Sequence, residues 1–449
     1  MHMLIHQTSQ QTSHQTSHQT TQRTSHQTSH QATQQTSHQT SHQTTQQTSH
    51  QISHQTTQRT SPQASQGIIH RALPAGSSLG TEHEYSINDS HFRPLAISDR
   101  IIERICGRVE NEISFGGIRL SKELQKHVLE LIPASPGGLI QLEENLFRGL
   151  QELYRATGNE YQFLGLGMHP LLTLDQTTCW DHDEQDYYQA YDRLFDIKQH
   201  GWLNIQALQI NIPYGNEREL VGMFNKIRSL MPYLVAVSAS SPIVEGRLSS
   251  YMDARLAYYR ENQSRIPLIC RGIIPERLEG IRDYVQINRN IYRELKEQNA
   301  QILCHEWVNS RGEIVRFTRR CLEIKAIDEQ ECLRSDMAVC AFIMALLRSE
   351  LELEEDDGHL YSMLEEGITG GVAAMRPELE RLYVRAERNA TREELIYLPL
   401  IRERIEQGSL AELMAQRLKE EREIPPILSQ MACCLKENRP YLAEAEGCG

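Results

Sequence analysis

The chain has 449 residues, with 46 basic and 59 acidic side chains and a formal net charge of −13. That balance excludes a general nucleic-acid binder, which needs a basic footprint to hold phosphates. No apolar run approaches the roughly 18 residues of a membrane span, and the ten cysteines form no C-x-x-C pair, which excludes a zinc ribbon or a dithiol motif.

From His6 to Gln66 the chain is almost only Gln, Thr, Ser and His. A 12-residue repeat sets histidines in pairs four apart, such as His14/His18 and His26/His30. Nothing there can bury apolar area, so residues 1–66 are expected to be a disordered tail. It is either a weak Zn²⁺ or Ni²⁺ sink through its imidazoles or a translated simple-sequence repeat without a role. Residues 67–348 are expected to form the main domain, and 349–449 a helical region that packs on it or extends it.

Leu79 to Tyr85 reads as a strand, and Ser98 as the N-cap of a helix spaced over Ile101 to Val109. Phe115-Gly116-Gly117 breaks that pattern, and Val128 to Ile132 is a short strand closed by Pro133-Ala134-Ser135-Pro136-Gly137-Gly138. An amphipathic helix follows over Leu139 to Tyr154, then a buried strand over Tyr161 to Met168 that ends at His169-Pro170. Asp181 to Lys198 reads as helix. Leu203 to Pro213 alternates as a strand, with Gln209 and Asn211 on one face and Leu208, Ile210 and Ile212 on the other. Arg218 to Ser238 and Tyr284 to Ala300 are helical, and Glu313 to Ile327 is a hairpin. Beyond Glu331 nearly everything is helical, with a capping box at Thr391-Arg392-Glu393-Glu394. Strands and helices mix without strict βαβ alternation, which predicts an α+β fold on an antiparallel sheet.

Two short carboxylate groupings carry the chemistry. Gly80-Thr81-Glu82-His83-Glu84-Tyr85 sets Glu82 and Glu84 on one face of a strand and His83 on the other. Like charges side by side are unfavourable unless a cation sits between them. Hard oxygen ligands favour Mg²⁺, with substrate phosphates completing its shell. The pattern points to ATP chemistry without a P-loop; ordinary glutamates on a solvated edge strand are the alternative. Glu323 lies between Leu322 and Ile324, where an unpaired carboxylate is costly to bury. It either joins the same site or pairs with Arg319 or Lys325.

Several blocks, in order, resemble the carboxylate–amine ligase family, the group that includes the second type of glutamate–cysteine ligase. Gly80 to Tyr85 is similar to the family's opening G-x-E-x-E strand, and Leu129-Glu130-Leu131 to its next glutamate strand. Gly167-Met168-His169-Pro170 is similar to its G-x-H-P turn. Ser238-Ala239-Ser240-Ser241-Pro242, with Gly246, resembles its S-A-S-S-P-x-x-x-G loop, followed by Arg255. Leu322 to Asp328 resembles its x-E-[IV]-R-x-x-D strand.

The resemblance implies a glutamine-synthetase-like antiparallel sheet curved into a funnel, with helices on its outer face. It also implies an ATP-dependent ligase that joins a small amino-acid-like carboxylate to an amine through an acyl phosphate. Mg²⁺ is the implied cofactor, with Mn²⁺ as a substitute. By position, Glu82, Glu84, Glu130 and Glu323 are the implied metal ligands, and Arg255 and Lys325 the nucleotide contacts. Arg255 and Glu323 are also implied in catalysis, and His169, Gln209, Asn211 and Asp328 in the substrate pocket. With no signal-peptide pattern, reduced thiols in a cytoplasmic enzyme are expected.

The family's H-x-H-x-G strand reads Gln209-Ile210-Asn211-Ile212-Pro213 here, and Lys325 stands where its arginine does. Gln and Asn can offer an amide oxygen to a hard cation but cannot titrate, and Lys lacks the bidentate fork of Arg. A ligase-fold protein that binds nucleotide or amino acid and turns over little is the alternative function. At single residues, Arg255 could lie on a solvated face with Arg260 and Arg265, and His169 could serve a loop carbonyl. Gln209 and Asn211 could pair with each other and the backbone. The helices after Ser349 either cover the sheet or form a homo-oligomer interface.

Overall fold

Residues that alternate between an apolar and a polar set along each strand build the sheet. The computed structural model describes residues 78–442, all within the unit Arg71–Gly449; the repeat at 1–66 lies outside them. Its strands are β1 (Gly80–Asn88), β2 (Glu112–Phe115), β3 (Ile118–Lys122), β4 (Val128–Pro133), β5 (Gln162–Leu164) and β6 (Ala207–Pro213). A separate small hairpin is made by β7 (Ile243–Val244) and β8 (Arg247–Leu248), and β9 (Glu313–Arg316) and β10 (Cys321–Asp328) complete the set. The eight-stranded sheet runs in the order β2-β3-β4-β1-β6-β10-β9, with β5 paired to β1. Its pairings are antiparallel, the α+β architecture that the sequence predicts.

Register sorts the side chains. Tyr85 pairs with Leu129, His83 with Leu131 and with Leu208, and Leu322 with Ile212, which makes one face of the sheet largely apolar. Helix Leu139–Ala156 packs on β3 and β4, helix Glu217–Ser238 on β9 and β10, and helix Leu333–Arg348 against both of those helices. Leu142, Leu150, Ile210, Leu234 and Phe342 are fully buried in this layer, and each such side chain contributes roughly 1.5–3 kcal/mol. The helical stretch Asp357–Asn389, kinked at Gly371, packs along Glu217–Ser238 and brings Leu360, Ile368 and Leu379 into the same core. Among the described residues, no helix is long and apolar enough to cross a membrane.

Element ends differ from the sequence expectations for local reasons. Ser98 is the first residue of helix Ser98–Cys106, not its cap, and its hydroxyl is buried without a partner. Phe115 to Ile118 is the turn of the β2–β3 hairpin, made possible by Gly116 and Gly117 at positive φ. Leu203 closes a short helix, His200–Leu203, so β6 starts only at Ala207. The Thr391 capping box forms as expected: the Thr391 N–H donates to Glu394 at 2.8 Å and the Glu394 N–H to the Thr391 hydroxyl at 3.3 Å. Among the described cysteines, Cys106, Cys179, Cys270, Cys304, Cys321, Cys332, Cys340 and Cys434 are free thiols, in line with the expectation, and Cys433 is disulfide-bonded.

β5 covers only part of the expected strand Tyr161–Met168, because from Gly165 the chain packs directly against the segment after β10. A Cβ at Gly165 would run into the Gln330 carbonyl oxygen, a main-chain atom that cannot swing aside. Gly165→Ala should therefore destabilise the protein by about 1–3 kcal/mol, read as a lower urea midpoint at unchanged slope.

Candidate active site

The central strands carry a polar set onto the face turned away from the helices. Glu84 pairs with Glu130, Glu82 with Gln209, and Glu323 with Asn211. Residues opposite one another in an antiparallel ladder point the same way, so β4, β1, β6 and β10 bring these side chains onto one surface. Glu123 joins them: it follows by two positions Ser121, the partner of Glu130. Carboxylate oxygens of Glu84, Glu123 and Glu130 lie within 4.8 Å of one another. The sequence reading missed Glu123. Its seven-residue offset from Glu130 becomes a signal only once β3 and β4 are known to pair.

Hydrogen bonds hold each carboxylate in place. Glu84 accepts from the Gln209 amide at 2.9 Å and from the Ala207 N–H at 3.0 Å. Glu82 accepts from the Asn211 amide at 3.1 Å and is ion-paired with Arg319. Gln209 and Asn211 thus orient the two glutamates instead of pairing with each other. Glu323 pairs with Arg316 at 2.5 Å, Arg319 at 3.7 Å and Lys325 at 3.8 Å. The pairing with Arg319 and Lys325 was the foreseen alternative; Arg316, the closest partner, was not foreseen. Glu82, Glu84 and Glu130 keep 7 %, 6 % and 6 % exposure and Glu323 none, so solvent reaches only the first three.

Electrostatics follow from this crowding. Burial, reinforced by the charge of Glu123, pushes the Glu84 carboxyl up to about 8. Burial and the charges of Glu82, Glu123 and Glu84 hold Glu130 well above the usual carboxylate range. Burial also pushes Glu82 upward, but Arg319 overrides it and leaves the group below its ordinary value. Glu130 is surrounded by the like charges of Glu82, Glu123 and Glu84, so a positive charge is favoured beside it. Clustered hard oxygen donors short of a cation fit Mg²⁺ or Mn²⁺.

Three expected site residues fall elsewhere. Arg255, expected to grip a phosphate or substrate carboxylate, is 2 % exposed. Its Nε donates to Asp328 at 2.5 Å and its Nη1 to the Lys325 carbonyl at 3.3 Å. Asp328, expected to shape the pocket, also accepts from the Ser240 N–H at 2.9 Å and the Ser241 hydroxyl at 2.7 Å. The S-A-S-S-P loop and the last residue of β10 are therefore one buried anchor, and Gly167 lies so close to the Asp328 carboxylate that no Cβ fits. His169 Nε2 faces the Asn88 side-chain oxygen at 2.7 Å and its Nδ1 accepts from the Leu171 N–H at 3.2 Å. Burial pushes this imidazole down to about 3, so it is a neutral structural group. The partly exposed cations of the polar face are Arg319, Lys325 and Arg316.

The same architecture occurs in solved ligases. A glutamate–cysteine ligase from Francisella tularensis, in complex with AMP, matches over 84 % of this chain and 91 % of its own, with a TM-score of 0.55 at 10 % identity. A bifunctional glutathione synthetase from Pasteurella multocida matches over 80 % of this chain and 52 % of its own, with a TM-score of 0.56 at 14 % identity. The fold is therefore that of a carboxylate–amine ligase. The model of glutamate–cysteine ligase family 2 matches residues 78–425, and the chain belongs to that family. An uncharacterised protein of Archaeoglobus fulgidus is 48 % identical over 367 residues, 81 % of this chain and 100 % of its own. The glutamate–cysteine ligase of Halobacterium salinarum is 26 % identical over 191 residues, 41 % of this chain and 49 % of its own. The match thus spans about half the length of that ligase.

The raised carboxyls make a testable statement about stability. Glu84 and Glu130 bind protons more tightly in the folded chain than at their ordinary value of 4.5. Stability must then fall as pH rises from that value through about 8. In EDTA the Tm should drop by several degrees between about pH 6 and about pH 9, with millimolar Mg²⁺ recovering more at the higher pH. Scanning fluorimetry that shows no such slope would mean these carboxyls are not short of positive charge.

Proposed function

We propose that the protein is a Mg²⁺-dependent ligase that uses ATP to join a small amino-acid-like carboxylate to a primary amine. The observation that carries this reading is the convergence of Glu82, Glu84, Glu123 and Glu130 on one sheet face beside Arg319 and Lys325. Glu84, Glu123 and Glu130 would hold one cation, and Glu82 and Glu323 stand where they could hold another. A bound divalent cation would neutralise the polyphosphate and the charge developing on the transferred phosphoryl group. Arg319 and Lys325 would bind phosphate oxygens, the task first expected of Arg255.

In the first half-reaction the substrate carboxylate oxygen attacks the γ-phosphorus, and the bond to the bridging oxygen breaks with its electron pair leaving on ADP. In the second, the amine attacks the acyl carbon, phosphate departs with the carbon–oxygen pair, and the amine's proton passes to phosphate or solvent. Gln209 and Asn211 hold Glu84 and Glu82 in orientation through both; having no titratable group, they take no proton. Their presence where the family carries histidines favours a second reading, a ligase-fold protein that binds nucleotide and amino acid with little turnover.

ADP release by the full chain, with ATP, Mg²⁺ and pools of amino acids and amines, separates the two. One acid–amine pair should stimulate release at least about tenfold, and Glu82→Gln and Glu130→Gln should each reduce that rate by about 100-fold or more while the fold persists. Tight ATP binding without stimulated release would favour the second reading. Glutamine variants as active as the parent would overturn the site.

A further inference from the structure

Behind the polar face, the segment that follows β10 reaches back to β1. Glu329 is fully buried; its Oε2 accepts from the Glu84 N–H at 3.1 Å, and its Oε1 lies 3.1 Å from His83 Nδ1. His83 also lies 3.4 Å from Asp336 Oδ2, and Asp336 Oδ1 accepts from the Gln330 N–H at 3.1 Å. The side chains of His83, Glu329 and Asp336 have no exposed surface.

The reason for this arrangement lies in the ladder. The β1–β6 pairing ends at His83 and Leu208. At the next position both main-chain donors turn to carboxylates: the Ala207 N–H to Glu84's own side chain, and the Glu84 N–H to Glu329. A buried main-chain N–H left without an acceptor is strongly unfavourable, so Glu329 decides where the Glu84 backbone can sit. The His83 Nδ1 contact, 3.1 Å from Glu329 Oε1, in turn holds Glu329 against the sheet.

We propose that Glu329 is a positioning residue for Glu84, fixing from the far side of the sheet the main chain that aims this carboxylate into the cation site, with His83 and Asp336 holding Glu329. The inference rests on the metal-site reading of Glu84 given above. Glu331 offers a matched comparison: it is equally buried, but its contacts run to Arg404 at 2.6 Å and to the Tyr441 N–H at 2.9 Å.

Mn²⁺ affinity of the full chain without nucleotide, followed by electron paramagnetic resonance, tests it. Glu329→Asp shortens the arm by one methylene and should raise the Kd for Mn²⁺ about tenfold or more, whereas Glu331→Asp should leave it within about twofold. Glu329→Gln keeps an oxygen within reach of the Glu84 N–H and should bind within about twofold of the parent. Adding Glu329→Asp to Glu84→Gln should cause no further loss. If Glu84→Gln alone binds Mn²⁺ as the parent does, the metal-site reading fails. If Glu84→Gln weakens binding but folded Glu329→Asp does not, or Glu331→Asp weakens it equally, only the role of Glu329 fails. Should Glu329→Asp not fold, Glu329→Gln decides alone, and a tenfold loss there overturns the inference.

Discussion

Repulsion among carboxylates gathered on one side of a sheet is the constraint that the rest of the structure answers. Two unit charges about 4 Å apart repel by roughly 4 kcal/mol at an effective dielectric of about 20, and carboxylate oxygens of Glu84, Glu123 and Glu130 lie within 4.8 Å of one another. The protein meets this by position along the sheet. Toward β9 and β10, Arg316 and Arg319 neutralise Glu323 and Glu82. Toward β4, among the described residues, no arginine ion-pairs with Glu84, Glu123 or Glu130, and burial with like charges pushes the Glu84 carboxyl up to about 8 and holds Glu130 well above the usual carboxylate range. That gradient makes the face more than a patch of acid: one side is already paired, and the other is left short of a cation.

Holding such a face together requires a rigid support behind it. The last residue of β10 and the three that follow it provide much of it. Asp328 binds Arg255 and the Ser240–Ser241 loop, Glu329 binds His83 and the Glu84 N–H, Gln330 donates to the Ser238 carbonyl, and Glu331 binds Arg404. Each is buried, and each has its own partner. Removing one member of such a buried pair leaves an uncompensated charge, which typically destabilises by 3–5 kcal/mol. The region beyond residue 349 reaches this support through Arg404 and Tyr441, so it takes part in the foundation of the polar face and not only in its cover.

Much of the site was legible because it is written in local periodicity. Glu82 and Glu84 are two apart on a strand, and Gln209 and Asn211 repeat that spacing on β6, so their shared faces could be read without a partner strand. Blocks such as Gly167-Met168-His169-Pro170 and Ser238 to Pro242 are equally visible, but the sequence does not show their use: Gly167 makes room for Asp328, and the two serines bind the same carboxylate. A residue type that suits a ligand also suits a buried anchor, and nothing within a short window distinguishes them. Glu123, Arg316 and Glu329 escaped notice because their importance comes from neighbours far along the chain.

By itself, then, the sequence determined the alternation of faces, the E-x-E pair, the antiparallel α+β class and the family. Each of these is a property of a few adjacent residues or of motifs in order. Only the tertiary structure decided which carboxylates meet, which are paired with arginine and which are left wanting a cation. Strand order and register set those outcomes, since Glu82 and Arg319 are separated by 237 positions and become neighbours only when β1, β6 and β10 align.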